Sequence, residues 1–499
     1  MKKLLILSTV ILLVVSSCED FLTVNEFNPN TASAVPTNLV LPAALNATAR
    51  NVIHPDNYRF IYVWYGCWSI ASGYSQPTSL TQYKLSNTMY QDNWSNSYTN
   101  LQNYDYIDKM SVDAKDNYFK AIAKTMKAYV YQYLVDAYGN VPYTQALKTD
   151  EGILKPEYDN QQTIYEDLVL QLDEAMGLIT SAPGNANEVG EYDIIFDGDM
   201  DLWWKFANTL KLRLLLNQSG MANRAAYITG AIATTPHTTA NYLGVGEGAM
   251  LNPDYVKSSG KMNPFWENYY KQDDSQQPDG LGYDVAGQDA CDFLNENNDP
   301  RKFRFFTPSS TGSNEVLGNY FGETVLRPMT STSSLGPGML QAYNQDAPIM
   351  TDFESLFLQA EAVQRGLITG NAKELYESAV TSSIIYMGGL EGTAAGAATY
   401  LAQSGNPQIS FDSSIDKIKT IITQKWVALN GISPMPIWTD YRRTGFPDFL
   451  HFTEDAAKLN DTPPVRMLYP QTEINVNDKN VNLQGTINAF TSKIFWQNR

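Results

Sequence analysis

Asp197, Asp199 and Asp201 alternate in "FDGDMDLWWKFANTLKLRLLL" and invite a calcium site. A calcium-binding helix–loop–helix would place Gly at the sixth loop position and Glu at the twelfth, where this chain has Leu202 and Asn208. Capping of the next helix by Asp199 or Asp201 is the better reading. The histidines His54, His237 and His451 lie far apart, and the cysteines show no zinc-ligand spacing, so neither a metal nor another cofactor is expected. G-x-S-x-G elbows, phosphate-cradling glycine loops and H-E-x-x-H are all missing from the sequence, which disfavours the enzymes built on them. A glycosidase needs only two carboxylates about 5 to 10 Å apart, and with 53 acidic residues that option stays open.

Aromatic residues say more. The chain has 31 Tyr, 9 Trp and 20 Phe, enough to fill a core and still line a binding surface. Tyr and Trp combine a flat apolar face with a polar edge, which suits stacking on sugar rings. In "IYVWYGCWSIASGYSQPTSLTQY", Trp64, Tyr65, Trp68 and Tyr74 lead into a Gly/Ser/Pro-rich loop. Trp64 and Trp68 stand at i, i+4, which is also the spacing of a buried helix face. Trp68 and Tyr74 sit nearer the loop and are the preferred sugar platforms, while Trp94 is read as packing.

The N-terminus bears on location. Lys2 and Lys3 precede an apolar run, Leu4 to Val15, that ends at Ser16 and Ser17. The run is too short for a span, which needs roughly 20 apolar residues, and it reads as a secretory signal. Val15-Ser16-Ser17-Cys18 resembles a bacterial lipobox, in which Cys18 is acylated and becomes the mature N-terminus. Glu19 and Asp20 look like an acidic export signal for the outer face of the outer membrane. The expected organisation is a signal peptide over 1–17, a lipidated tether over 18–30 and one helical domain over 31–499. Net charge is −18 at pH 7, and losing Lys2 and Lys3 makes it more negative, so nucleic acid and other anionic polymers are disfavoured partners. Cys67 and Cys291 could form a disulfide outside the cytoplasm or remain two buried thiols.

These residues must be held by helices. Phe119, Ile122, Ala123, Met126, Tyr129, Val130, Tyr133, Leu134 and Ala137 follow i, i+3, i+4 spacing and predict a long amphipathic helix ended by Gly139. Capping boxes at Thr163/Glu166 and Thr351/Glu354, with Asn371 before Glu374, predict three further starts. Short breaks between helices predict tetratricopeptide-like pairs stacked in a superhelix. The polar stretches 181–193, 270–292, 307–340 and 388–413 read as long loops and form a loop-rich region.

An ordered series of motifs extends through the chain: "YGNVPYTQAL" (138–147), "KPEYDNQQTIYEDLVLQLDEA" (155–175), "GDMDLWWKFANTLKLRLLL" (198–216), "NDPRKFRFF" (298–306), "SLFLQAEAVQRG" (355–366), "QKWVALNGISPMPIWTDYRRTGFP" (424–447) and "VRMLYPQTEINVN" (465–477). With the lipobox, the series resembles the SusD/RagB-like nutrient-binding outer-membrane lipoproteins of Bacteroidetes. The resemblance implies a mostly α fold with four degenerate tetratricopeptide-like units and an irregular, loop-rich ligand-binding half. It implies a non-catalytic protein that captures oligosaccharides or peptides and acts as the lid of a SusC-type TonB-dependent transporter. It also implies that Asp299, Pro300, Arg301, Arg442 and Arg443 are scaffold residues. For ligand contact the expected set is Trp68 and Tyr74 with the loop residues Asp289 and Asp292, the aromatics stacking on a sugar face and the carboxylates bonding its hydroxyls. A surface glycoside hydrolase and a helical-repeat adaptor are the competing classes.

Overall fold

The computed structural model describes residues 35–278, 280–310 and 314–497; the expected signal peptide, Cys18 and the tether lie outside the described residues. Helices dominate. Thr37–Ile53 (α1) and Pro55–Trp64 (α2) precede Gln91–Met110 (α3), Asn117–Tyr138 (α4), Gln161–Thr180 (α5) and Met200–Asn217 (α6). An irregular region containing Gln288–Glu296 (α7) follows, and then Asp352–Gln364 (α8), Ala372–Met387 (α9), Ala394–Leu401 (α10), Lys417–Leu429 (α11) and Pro434–Thr444 (α12). The strands are short: Trp68–Ile70 (β1), Val141–Pro142 (β2), Tyr158–Asp159 (β3), Ala249–Leu251 (β4), Asp284–Ala286 (β5) and Ala347–Met350 (β6). They form the antiparallel pairs β1–β5, β2–β3 and β4–β6. Among the described residues, no helix is long and apolar enough to cross a membrane.

The helices pack in consecutive pairs, α3 on α4, α5 on α6, α8 on α9 and α11 on α12, the tetratricopeptide-like arrangement expected from the sequence. α4 ends at Gly139 as predicted and buries the expected apolar face, but most of its other side is buried as well. Lys124, Thr125, Gln132 and Asp136 are buried along with its apolar residues, because α1, α3, α5 and α6 all pack against it. Thr351 and Asn371 cap α8 and α9 as predicted, and Asp199 rather than Asp201 caps α6. Asn160, not Thr163, caps α5, bonding the Gln162 and Thr163 amides, so the proposed box lies inside the first turn. Two of the expected loops are also partly ordered into elements. The stretch 388–413 contains α10, and 270–292 contains β5 and the start of α7.

Buried charge joins the elements. Arg443 on α12 donates to both Glu361 oxygens on α8 at 2.5 Å and to Asp440 at 2.7 and 3.0 Å, while Lys425 on α11 lies 3.1 Å from Asp440. Arg301 binds Asp299 at 2.6 and 2.9 Å, Ser383 of α9 at 3.0 Å and Gln424 of α11 at 3.2 Å. Arg442 instead donates to the Asp136 and Val465 carbonyls and lies over the Trp438 ring. All three arginines therefore hold the scaffold together.

Burial alone would raise the Glu361 carboxyl, but Arg443, Arg365 and Lys425 bring it down to about 2. A folded-state value below the unfolded value of about 4.3 stabilises the protein at higher pH, and that contribution is lost as pH falls from about 4.3 towards 2. Urea unfolding of Glu361→Ala at pH 7 should show a loss of about 3 to 5 kcal/mol, because it leaves the buried Arg443 and Lys425 charges to share Asp440 alone. In Glu361→Gln the acid-side fall in stability should flatten.

Candidate functional site

The β1–β5 ribbon organises the loop-rich region. After α2, Gly66 turns the chain at φ +71°, and a Cβ there would lie 2.5 Å from an Asp289 oxygen, so glycine lets α7 approach closely. In the ribbon Trp68 faces Ala286 and Ile70 faces Asp284. A cavity flanks each end, one beside Tyr74 and one beside Asp289.

The first is a cleft of roughly 440 Å³ lined by Asp56, Arg59, Tyr74, Ser75, Asn268, Gln277, Gly280 and Tyr283. Tyr74 and Tyr283 meet edge to face, 5.7 Å between ring centres and 87° between planes. A Cβ at Gly282 would collide with the Tyr74 hydroxyl and lie 2.6 Å from the Met329 sulfur, so the corner depends on glycine. Arg59 lies 5.3 Å over the Tyr283 ring, and its Nε sits 3.0 and 3.1 Å from the two oxygens of buried Asp284. Tyr269 donates to Asp284 at 2.8 Å. Burial raises the Asp284 carboxyl, and Arg59 and Tyr269 draw it back in part. The result is a half-open aromatic corner held by the pairing of half-buried Arg59 with buried Asp284, beside the Ser75 hydroxyl and two amides that can bond sugar hydroxyls.

The second cavity, roughly 180 Å³, is lined by Asp289, Asp292, Phe293, Glu296, Gln408, Phe449 and His451, sharing no residue with the first. Asp289 and Asp292 are thus brought together, but on the first turns of α7 rather than on a loop, and away from Tyr74. Asp289 is buried and bonds the His451 ring at 2.5 Å and its amide at 3.2 Å; Asp292 accepts from Gln288 at 2.6 Å and Tyr320 at 2.8 Å. Burial pushes the Asp289 carboxyl up to about 6 against the opposing effect of His451.

Trp68 does not reach either cavity. Its exposure is 0%, its indole donates to Asn430 at 3.0 Å and its ring stacks on Tyr62 at 4.3 Å, so the expected sugar platform is core. Trp64 is buried too, and Trp94 packs among Tyr98, Tyr138, Tyr158 and Tyr469 as read from the sequence. Cys67 and Cys291 are buried free thiols. The sequence does not mark Tyr283, Arg59 and Asp56 as site residues; its one signal is an aromatic after two glycines in "GLGYDVAG". A larger groove, roughly 720 Å³ and running beside α9 and α10, is lined by aliphatic, hydroxyl and acidic side chains and offers no aromatic platform.

A SusD-like family model, described as "Starch-binding associating with outer membrane", matches residues 29–470. No curated protein matches the chain. Among solved structures, a chitin-binding protein is 23% identical with a TM-score of 0.75 over 93% of this chain and 100% of its own. A SusD/RagB family protein from Bacteroides thetaiotaomicron is 20% identical with a TM-score of 0.70 over the same shares. A SusD homologue from Bacteroides vulgatus is 21% identical with a TM-score of 0.73 over 89% of this chain and 92% of its own. At these identities the likeness shows the fold.

Trp68→Ala should cost about 3 to 5 kcal/mol in chemical unfolding by emptying a core site, whereas Tyr74→Ala should leave stability within about 1 kcal/mol. The folded Asp289 carboxyl titrates near 6, above the unfolded value of about 3.9, so its contribution is present below pH 3.9 and lost as pH rises through 6. Unfolding measured from pH 4 to 7 should show that fall in the native protein and a flatter curve in Asp289→Asn.

Proposed function

The chain belongs to the SusD-like family of starch-binding proteins associating with the outer membrane, and from that premise we propose that it captures oligosaccharides in the Tyr74–Tyr283 cleft without cleaving them. The observation that carries this reading is the edge-to-face aromatic corner in a partly open cavity with a hydroxyl and amide rim. Sugar rings present apolar C–H faces and a girdle of hydroxyls, and this lining offers a partner to each. We further propose that acylated Cys18 anchors the chain, that residues 18–30 serve as its tether, and that it closes as a lid over a SusC-type TonB-dependent transporter facing the cell exterior. A lid of this kind needs a rigid body, and the buried Arg443–Glu361 pair between α12 and α8, with Arg301 bonded to α9 and α11, supplies rigidity.

Absence of turnover fits the acidic groups. Asp56 is the carboxylate that lines the cleft and it is paired with Arg59, while in the second cavity Asp289 is held by His451 and Asp292 by Gln288 and Tyr320. A glycosidase needs one carboxyl to give a proton to the leaving group and another to act as base or nucleophile. Peptide capture in the same cleft is the variant reading, because tyrosines and amides also bind extended peptides.

Calorimetry of the chain from Glu19 onward against neutral oligosaccharides and mixed peptides, with product analysis of the same samples, tests the proposal. Saturable glycan binding with intact products, weakened at least tenfold by Tyr74→Ala or Tyr283→Ala, is expected. Cleaved products would overturn the capture reading in favour of a hydrolase, and peptide binding alone would replace the glycan.

A further inference from the structure

We propose that the Tyr74–Tyr283 cleft is selective for uncharged glycans and that Asp56 is the residue that turns away uronate- and sulfate-bearing ones. This rests on the glycan reading of the same cleft. Arg59 is the cation lining it, and a solvent-facing guanidinium there would recruit carboxylates and sulfates. It is not available for that role. Its Nε faces the buried Asp284 carboxylate at 3.0 Å, its Nη2 faces Asp56 at 3.0 Å, and the group lies over the Tyr283 ring, leaving its side chain only 21% exposed. Two carboxylates against one guanidinium leave this corner with an excess of negative charge. Of the two, Asp284 is buried, whereas Asp56 lines the cleft and is 57% exposed. The remaining lining side chains, Tyr74, Ser75, Asn268, Gln277 and Tyr283, are uncharged hydrogen-bonding groups.

Asp56 lies in the first turn of α2, bonded to Arg59 one turn on, so one helical turn supplies both charged residues of the cleft lining. A ligand hydroxyl can donate to an exposed carboxylate, whereas a uronate or sulfate cannot. An anionic group within about 5 Å of Asp56 meets a repulsion that, after screening by solvent, lowers affinity by roughly tenfold. The net charge of the whole chain, −18, acts in the same direction at longer range.

The test is calorimetry with backbone-matched pairs: malto-oligosaccharides against their C6-oxidised uronate forms, and galactan oligosaccharides with and without sulfate. Each pair is measured at low and high salt with the native chain, Asp56→Asn and Asp56→Lys, after thermal unfolding has confirmed that the variants fold. The native chain should bind the neutral member of a pair at least about tenfold more tightly, and salt should narrow the gap. Asp56→Asn should shrink the ratio of the two affinities several-fold, and Asp56→Lys should reverse it. Tighter binding of the anionic member by the native chain, or a ratio that both variants leave unchanged, would overturn the inference while glycan capture stands. Failure of both members of every pair to bind would overturn glycan capture and this inference together.

Discussion

Arg301 is the joint between the irregular region and the helical pairs. It is 1% exposed, and a guanidinium at that depth is tolerable only if its donors are met. Asp299, two residues earlier, supplies the countercharge, Ser383 accepts from α9 and Gln424 accepts from α11. The segment that carries it runs directly from α7. Fixing Arg301 therefore fixes α7, and through α7 the β1–β5 ribbon, against the helices. The Glu361–Arg443–Asp440–Lys425 network does the equivalent work among α8, α11 and α12.

From this frame the cleft follows by short steps. The ribbon places Asp284 opposite Ile70, at the end of β1 from which the chain continues to Tyr74. Asp284 draws Arg59 from α2 over the Tyr283 ring, and Gly282 leaves room for the Tyr74 hydroxyl. An aromatic corner on a buried ion pair is preorganised, so little of the binding energy is lost to ordering it.

Much of the helical scaffold was legible because its signals are local. Thr351, Asn371 and Asp199 announce helix starts within three residues of the amides they bond. Thr163 misled because its spacing to Glu166 fits a capping box, whereas Asn160, three residues earlier, is the stronger cap residue and takes the position. α10 was hidden because "AAGAATYL" has no large apolar period and contains a glycine. The site was harder to read because its decisive contacts are distant in sequence. Trp68 became core through Asn430, 362 residues away, and Phe265, while Tyr74 six positions on stayed partly open. Tyr283 joins Tyr74 only once β5 pairs with β1, a relation no spacing encodes. Asp289 and Asp292 were expected beside the aromatics because the stretch read as one loop. Formation of α7 instead puts them at the other end of the ribbon.

A crystal structure of the chain grown with neutral oligosaccharide measures the central claim most directly. The account predicts an intact sugar ring packed on Tyr74 and Tyr283, with hydroxyls bonded to Asn268 or Gln277 and the Arg59–Asp284 pair undisturbed. A sugar seated instead in the groove beside α9 and α10, or against His451 and Asp292, would contradict it.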